Sequence, residues 1–228
     1  PPPRKKRWNK LFSITILSDR TTWMTPWISQ LLAEWAIVGH QISWVHTPSE
    51  IPKGDFCFML SCGEIVKPTI LRRNSHNLVV HASKLPKGKG WSPLSWQVLE
   101  GAKEIPVTLF EAAENVDSGL IYLQNKIELS GDELVDELRE KQATVTNDLC
   151  EKFIDRYPKI LEDAQKQSGN PSFYPKRTAV DSMLNPQKSI AEQFNLLRIA
   201  DNQHYPAYFD WMGKRYLLKI EKESAKQS

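Results

Sequence analysis

The chain has few cysteines and no long apolar run, and these two absences exclude several classes of protein. Its 228 residues include three cysteines, Cys57, Cys62 and Cys150, whose spacing fits no metal site and whose odd number argues against a disulfide framework. No apolar stretch approaches the length of a membrane span, and residues 1–10 lack the hydrophobic stretch of a secretory signal. We therefore expect reduced thiols, no bound metal, no membrane association and a cytoplasmic location.

A strong net charge is also missing. The formal net charge is +3, which is too small by itself to indicate a nucleic-acid surface. The local basic run at residues 4–7 follows three prolines, and a short run of this kind is more often a solvated tail than a binding arm. We therefore predict no nucleic-acid partner.

Glycine is absent where a dinucleotide-binding turn would need it. Residues 11–17 have the pattern of a buried strand, and residues 18–23, which follow, contain no glycine. In dinucleotide-binding proteins the glycines of this turn let the backbone approach the pyrophosphate. The pattern therefore disfavours an NAD-dependent dehydrogenase.

Strand and helix patterns alternate along the sequence. Predicted strands cover residues 11–17, 42–45, 56–60, 78–81 and 120–124, and predicted helices cover residues 26–38, 67–73, 131–166 with a break near Pro158, and 189–199. Residues 205–210 and 214–220 have the pattern of a hairpin. Such alternation is typical of βαβ units, so we predict an α/β fold with a mostly parallel sheet. We divide the sequence into a basic tail (1–10), a catalytic domain (11–169) and a small accessory module (170–228), which begins with a linker at residues 170–175.

Two titratable residues stand where predicted strands end in loops. His81 closes an apolar strand before a proline-bounded loop, and Asp117 begins the turn Asp117-Ser118-Gly119. In an open α/β sheet, ligands bind in the crevice beyond the carboxyl ends of the strands. The alternative is structural, with His81 capping its strand and Asp117 making a turn.

The residues around this pair resemble those of the folate-dependent formyltransferases. The resemblance rests on residues 81–93 (HASKLPKGKGWSP), Gly101, the Val107-Thr108 pair and residues 117–119, and it is strong over residues 55–125. It implies a Rossmann-like formyltransferase fold similar to that of methionyl-tRNA formyltransferase. It also implies His81 and Asp117 as catalytic residues and N10-formyltetrahydrofolate as the cofactor.

One position departs from the family pattern of Asn-x-His followed by Asp. Val79 stands where the asparagine is expected, and Asn77 lies one dipeptide earlier. Side chains alternate along a strand, so residues 77, 79 and 81 share a face. We name Asn77 as the candidate third catalytic residue; the alternative is that it caps the preceding turn.

The resemblance also implies cofactor-binding positions, and residue types suggest candidate substrate-binding ones. The pterin is expected between two loops, represented by Leu60, Ser61, Cys62, Gly63, Asn115 and Val116. Candidate substrate-binding residues are Ser83, Lys84, Lys89, Trp91, Asn195, Arg198 and Tyr205. The lysines are equally consistent with a solvated loop, Trp91 with core packing, and the last three with an ordinary helix and hairpin.

The acceptor is inferred from similarity to a subgroup of sugar N-formyltransferases. Residues 85–93 and 189–198 are similar to the enzymes of pseudaminic acid pathways, which formylate the 4-amino group of a UDP-linked 4,6-dideoxy altrosamine derivative. The segment that follows the long helical region is expected to be too short for a transfer-RNA-binding domain. The alternatives are a formylation domain of nonribosomal peptide synthetase type, which acts on an aminoacyl carrier, and a catalytically impaired folate-binding relative. The sequence is compatible with a homodimer and does not define the oligomeric state.

Overall fold

A computed structural model describes residues 10–113 and 117–223. In sequence order its elements are β1 (Ser13–Leu17), α1 (Thr25–Val38), β2 (Gln41–Val45), β3 (Gly54–Met59), α2 (Pro68–Leu71), β4 (Asn74–His81), β5 (Lys89–Gly90), α3 (Pro93–Leu99), β6 (Glu104–Glu111), β7 (Ile121–Glu128), α4 (Val135–Arg156), β8 (Phe173–Tyr174), α5 (Phe194–Arg198), β9 (Ala207–Trp211) and β10 (Lys214–Leu218). Short 3-10 turns occur at Pro48–Glu50, Lys159–Leu161, Ala179–Ser182 and Ala191–Gln193.

A six-stranded sheet, in the order β2-β1-β3-β4-β6-β7, forms the centre of the fold. The first four strands of that order are parallel, whereas β6 pairs antiparallel with both β4 and β7. Helical crossovers such as α1 explain the parallel half, because a parallel neighbour can be reached only by a long connection. The predicted α/β fold with a mostly parallel sheet is confirmed.

The alternation of side chains along the central strands builds a core on each face of the sheet. Ile14, Ile16 and Phe58 face α1 and α4 and belong to the larger core, which also contains Trp35 and Phe153. On the other face, Leu17 and Cys57 pack with Val66 and the residues of α2. Asn77 lies on the α2 face, where its side chain bonds to Leu71. His81 shares this face, since it lies four positions further along the same strand and side chains alternate.

Several predicted elements differ in extent from the observed ones. The helix predicted over residues 67–73 is limited to Pro68–Leu71, and the strand predicted over residues 120–124 extends to Glu128. The predicted linker contains β8, which pairs in parallel with β5. The C-terminal hairpin is observed, as β9 and β10.

The C-terminal residues join the start of α4 through buried charges. Arg198 donates to the carboxylate of Glu133 at 2.6 Å, with 3% and 4% of the two side chains exposed. Arg139 donates to Asp201 at 2.8 Å. Burial by itself would raise the pKa of Glu133, but hydrogen bonds from Lys141 and from backbone amides outweigh it and lower this pKa to about 2. The predicted boundary near residue 170 stays a prediction.

No helix within residues 10–113 and 117–223 has both the length and the apolar character needed to cross a membrane. The cytoplasmic location stays a prediction.

Candidate active site

His81 ends β4 and is partly exposed, and one of its ring nitrogens has a defined partner. Its Nε2 lies 2.8 Å from the carbonyl oxygen of Gly88. A carbonyl oxygen can only accept, so Nε2 must carry the hydrogen in this arrangement. In a neutral ring the other nitrogen, Nδ1, then holds a lone pair, and no described residue forms a hydrogen bond with it. His81 therefore presents Nδ1 as a proton acceptor.

Asp117 is held in an unusual backbone conformation beside the same loop. Its φ is +51°, in the left-handed region that Asp tolerates better than most residues. Its Oδ2 accepts a hydrogen bond from the Gly90 amide at 3.1 Å, and its carbonyl accepts one from Gln167 at 2.9 Å. Among the described contacts no hydrogen bond joins Asp117 to His81; instead both bind the backbone of residues 88–90. Asp117 can therefore orient His81 only indirectly in this structure, through that backbone.

The turn after Asp117 depends on a close backbone approach at Gly119. A Cβ atom at this position would overlap the carbonyl of Glu111, the last residue of β6. Gln167 donates to the carbonyl of Gly119 at 3.0 Å as well as to that of Asp117. Gln167 lies 50 residues from Asp117 in the sequence, and no local pattern indicates its place at this turn.

Asn77 is buried on β4, and its side chain bonds to the end of α2 and not to the loop after His81. Its side-chain nitrogen donates to the carbonyl of Leu71 at 2.8 Å, and its backbone amide donates to the Glu111 carboxylate. Its Oδ1 atom is buried and has no hydrogen-bond partner among the described residues. These contacts support a structural role at the end of α2. The catalytic role of Asn77 stays a prediction.

The loop after β3, residues 60–63, holds the described half of the predicted cofactor site. Leu60 is buried and Ser61 has a φ of +52°, while the Gly63 amide donates to the Asp19 carboxylate at 3.1 Å. Burial raises the pKa of the Cys62 thiol, which keeps it protonated at neutral pH. The backbone amides of Ser61 and Cys62 form no hydrogen bond with any described residue. Such free donors suit a ligand recognised by the edge of its ring, as the resemblance implies for a pterin.

The other half of the predicted cofactor site is Asn115 and Val116. Both lie outside the described residues. Their roles stay predictions.

Trp91 lies on the loop after His81, with its ring against the loop after β3. Its side chain is 44% exposed, the Lys176 ammonium lies 4.6 Å from its ring centroid, and its ring would contact a Cβ placed on Gly63 at 3.4 Å. An exposed aromatic face beside a cation is suited to stacking on a heterocycle. The alternative of core packing for Trp91 does not fit this exposure.

The remaining candidates on the loop after His81 differ in exposure. Ser83 is buried, and its hydroxyl has no hydrogen-bond partner. Lys84 is exposed and Lys89 is half-buried. Their substrate contacts stay predictions.

The three C-terminal candidates are not gathered around His81 by any described contact. Arg198 forms a buried, hydrogen-bonded ion pair with Glu133, and Asn195 accepts a weak hydrogen bond of 3.4 Å from Arg198. Tyr205 is 69% exposed. These contacts favour anchoring of the module by Arg198 and Asn195, and substrate binding by the three stays a prediction.

An open cleft of about 610 Å³ lies at the start of α4, away from His81. It is lined by residues 134–137, Arg139, residues 200–204 and residues 219–222, whose charges are of both signs. It shares no residue with the candidate site. Within the described part of the protein, no group of three His, Cys, Asp or Glu side chains could hold a metal ion.

Comparison with protein families identifies the region around His81 and Asp117. The family model described as formyl transferase matches residues 50–152, which include β3, β4, β6, β7 and both candidate catalytic residues. Residues 50–152 are a formyl transferase domain. The resemblance found in the sequence is thereby confirmed at the level of the family.

Curated relatives and solved structures agree with this assignment. The methionyl-tRNA formyltransferase of Finegoldia magna is 33% identical over 117 residues, which are 51% of this chain and 38% of that protein. The chain spans less than half the length of the curated relatives it matches.

Solved structures share the fold over almost the whole length of the protein. A methionyl-tRNA formyltransferase from Clostridium thermocellum has a TM-score of 0.75 at 16% identity, covering 93% of this protein and 94% of that one. HypX from Aquifex aeolicus in complex with tetrahydrofolic acid has a TM-score of 0.74 at 17% identity, covering 92% and 38%. A sugar N-formyltransferase from a Shewanella species has a TM-score of 0.67 at 14% identity, covering 94% and 99%. At these identities the structures establish the shared fold.

Proposed function

We propose that this protein transfers a formyl group from N10-formyltetrahydrofolate to an amine, at the crevice between His81 and Asp117. The observation that carries the proposal is that both side chains contact the backbone of one loop, residues 88–90, within the formyl transferase domain. The free backbone donors after β3 fit the edge of a flat heterocycle beside that loop. The tetrahydrofolate-bound neighbour supports the choice of cofactor.

The folate would supply the formyl carbon, and the protein's own residues stabilise the negative charge that develops on oxygen and transfer the amine proton. Attack of an amine on a formyl carbon places negative charge on oxygen and leaves a proton to be removed from nitrogen. With its Nε2 hydrogen held by Gly88, His81 takes the amine proton on Nδ1. The resulting cation would then donate from Nδ1 to the negative oxygen and, as the bond between the formyl carbon and N10 breaks, would return the proton to that leaving nitrogen. The carboxylate of Asp117, bound to the same loop, favours that cation.

For the acceptor we propose the 4-amino group of a nucleotide-linked 4,6-dideoxy sugar, of the UDP-altrosamine type. The proposal rests on the sequence similarity of residues 85–93 and 189–198 and on the shared fold with sugar N-formyltransferases. Trp91 and Lys176 together offer a ring face and a positive charge, which suit a base and a phosphate.

A second acceptor, methionyl-tRNA, is favoured by the curated relatives, which are methionyl-tRNA formyltransferases at 30–33% identity. The two acceptors differ in what they require of the protein. A transfer RNA needs many phosphate contacts, so its binding weakens steeply with salt, whereas a sugar nucleotide carries only two phosphates.

Labelled formyl transfer to a panel of acceptors tests the proposal. The panel contains a UDP-linked and a dTDP-linked 4-amino-4,6-dideoxy sugar, methionyl-tRNA and an aminoacyl carrier protein. We expect label on the sugar nucleotides. Label on methionyl-tRNA alone would establish the second acceptor, label on the carrier alone would establish the peptide-synthetase type of activity, and no label on any amine would refute formyl transfer by this protein.

A further inference from the structure

The segment that follows the helical region crosses the loop after His81. Residues 172–175, here called the strap, include β8, which pairs in parallel with β5. The Lys89 amide donates to the carbonyl of Ser172 at 2.9 Å, and the Trp91 amide donates to the carbonyl of Tyr174 at 3.1 Å. The strap is therefore part of the candidate active site, although it lies far from His81 in the sequence.

The strap is also fixed to α3 and to Glu100, which follows that helix. The Tyr174 hydroxyl donates to Glu100 at 2.7 Å, and its ring stacks on Trp96 with centroids 6.1 Å apart and planes 11° from parallel. The Trp96 indole nitrogen donates to the carbonyl of Pro175 at 2.9 Å. With these anchors, the strap holds a defined position relative to the sheet.

Ser172 connects the strap to the ring of His81 through a single glycine. The Gly88 amide donates to Oγ of Ser172 at 2.9 Å, while the Gly88 carbonyl accepts from Nε2 of His81 at 2.8 Å. Gly88 has a φ of +69°, and a Cβ there would lie 2.9 Å from Cβ of Ser83. The residue is held at its amide by Ser172 and at its carbonyl by His81.

We propose that Ser172 is a positioning residue that sets the tautomer of His81 by orienting the carbonyl of Gly88, an inference that rests on the proposed function. The Gly88 carbonyl can only accept, so as long as it faces the ring, the hydrogen stays on Nε2 and the lone pair on Nδ1. Removal of the Ser172 hydroxyl frees the Gly88 amide, while the Lys89 amide stays bonded to the Ser172 carbonyl. Gly88 then loses one of the two restraints that the strap places on it, and a glycine with fewer restraints has access to a wider range of backbone angles. The Gly88 carbonyl then faces the ring for less of the time, and the hydrogen distributes over both nitrogens.

Ser172→Ala tests the inference, with Ser168→Ala as the matched control. Ser168 is an exposed serine of the same connecting segment, and its side chain forms no hydrogen bond with any described residue. Ser172→Thr retains a hydroxyl and serves as the rescue variant. The readouts are the tautomer of His81 by 15N NMR of the imidazole, the kcat and KM of formyl transfer, and the melting curve.

We expect Ser172→Ala to lower the fraction of neutral His81 that carries its hydrogen on Nε2. The kcat of formyl transfer should fall about threefold to tenfold, the range expected for one hydrogen bond. The KM for the folate should stay unchanged. Ser172→Thr should restore both, and Ser168→Ala should change neither. If Ser172→Ala does not fold, Ser172→Cys, which has a weaker acceptor, should give a smaller shift in the same direction.

An unchanged tautomer ratio in a folded Ser172→Ala or Ser172→Cys variant overturns the inference. The NMR readout requires neither folate nor acceptor. A shifted tautomer in a protein that transfers no formyl group would therefore refute the proposed function while leaving the link between Ser172 and His81 intact.

Discussion

Replacement of Asp117 by asparagine separates the charge of this residue from its role in the turn. Asparagine also tolerates the φ of +51° that Asp117 adopts. The Gly90 amide lies 3.1 Å from Oδ2 of Asp117, and the amide oxygen of asparagine can accept the same hydrogen bond. What disappears is the negative charge and the stronger hydrogen bond of a charged acceptor, so we expect a loss of about 1 kcal/mol in the free energy of unfolding.

The loss of activity should be much larger than the loss of stability. A His81 cation without its neighbouring carboxylate is less favourable, and positioned acid–base groups contribute about 10²-fold to 10⁴-fold to rate. We therefore expect Asp117→Asn to lower kcat for labelled formyl transfer by about 10²-fold or more, with a melting curve close to that of the unmodified protein.

Asp117→Ala is the matched variant for the turn. It leaves the Gly90 amide without its acceptor and places alanine at a positive φ, so we expect about 1–3 kcal/mol of destabilisation in addition to the loss of activity. Near-normal turnover by Asp117→Asn, together with clear destabilisation by Asp117→Ala, would show that the residue only makes the turn and would refute its catalytic role.

Three further substitutions or conditions test the described contacts. Gly119→Ala should destabilise the fold by about 3 kcal/mol or more in urea unfolding, because its Cβ would overlap the Glu111 carbonyl. Gly169→Ala, in open space at a φ of +104°, should cost only about 1–2 kcal/mol, and equal costs for the two variants would contradict the close approach. The fold lowers the pKa of Glu133 from an ordinary 4.5 to about 2. The ionised carboxylate therefore contributes at most about 3 kcal/mol to the free energy of unfolding, a contribution that is present above pH 4.5 and lost as the pH falls toward 2. A Glu133→Gln variant with the same pH dependence of unfolding would contradict this. Asn77→Ala should lower stability and leave kcat within about threefold if its amide serves only α2, whereas a large fall in kcat at unchanged stability would support the catalytic role.

Local pattern was enough to predict most of the fold. Ile14 and Ile16 alternate with polar or oppositely facing residues on β1, and Ile28, Leu31 and Trp35 repeat at helical spacing on α1. Such signals depend only on near neighbours in sequence. The pairing of β5 with β8 involves two residues from each strand and leaves no periodic trace, which is why residues 170–175 were predicted as a linker alone.

The candidate site was predictable only where its residues lie at the end of a strand or in the loop that follows one. His81 and Asp117 fit that rule, but the contacts that hold their loop come from distant positions. Gly88 binds Ser172 across 84 residues, and Gln167 reaches Asp117 across 50. Arg198 is named from the sequence as a candidate substrate-binding residue, but its burial against Glu133 could not be inferred from sequence.

The most direct test of the central claim is titration of the protein with tetrahydrofolate, with binding measured by calorimetry and the His81 imidazole followed by NMR. The proposed site predicts saturable binding of one folate per protein molecule, a shift of the His81 resonances in proportion to occupancy, and no comparable effect from NADH. Stabilisation of the folded protein should follow, about 2.7 kcal/mol at a hundred times the Kd. Binding of NADH in place of the folate, or folate binding that leaves His81 unperturbed, would contradict the account.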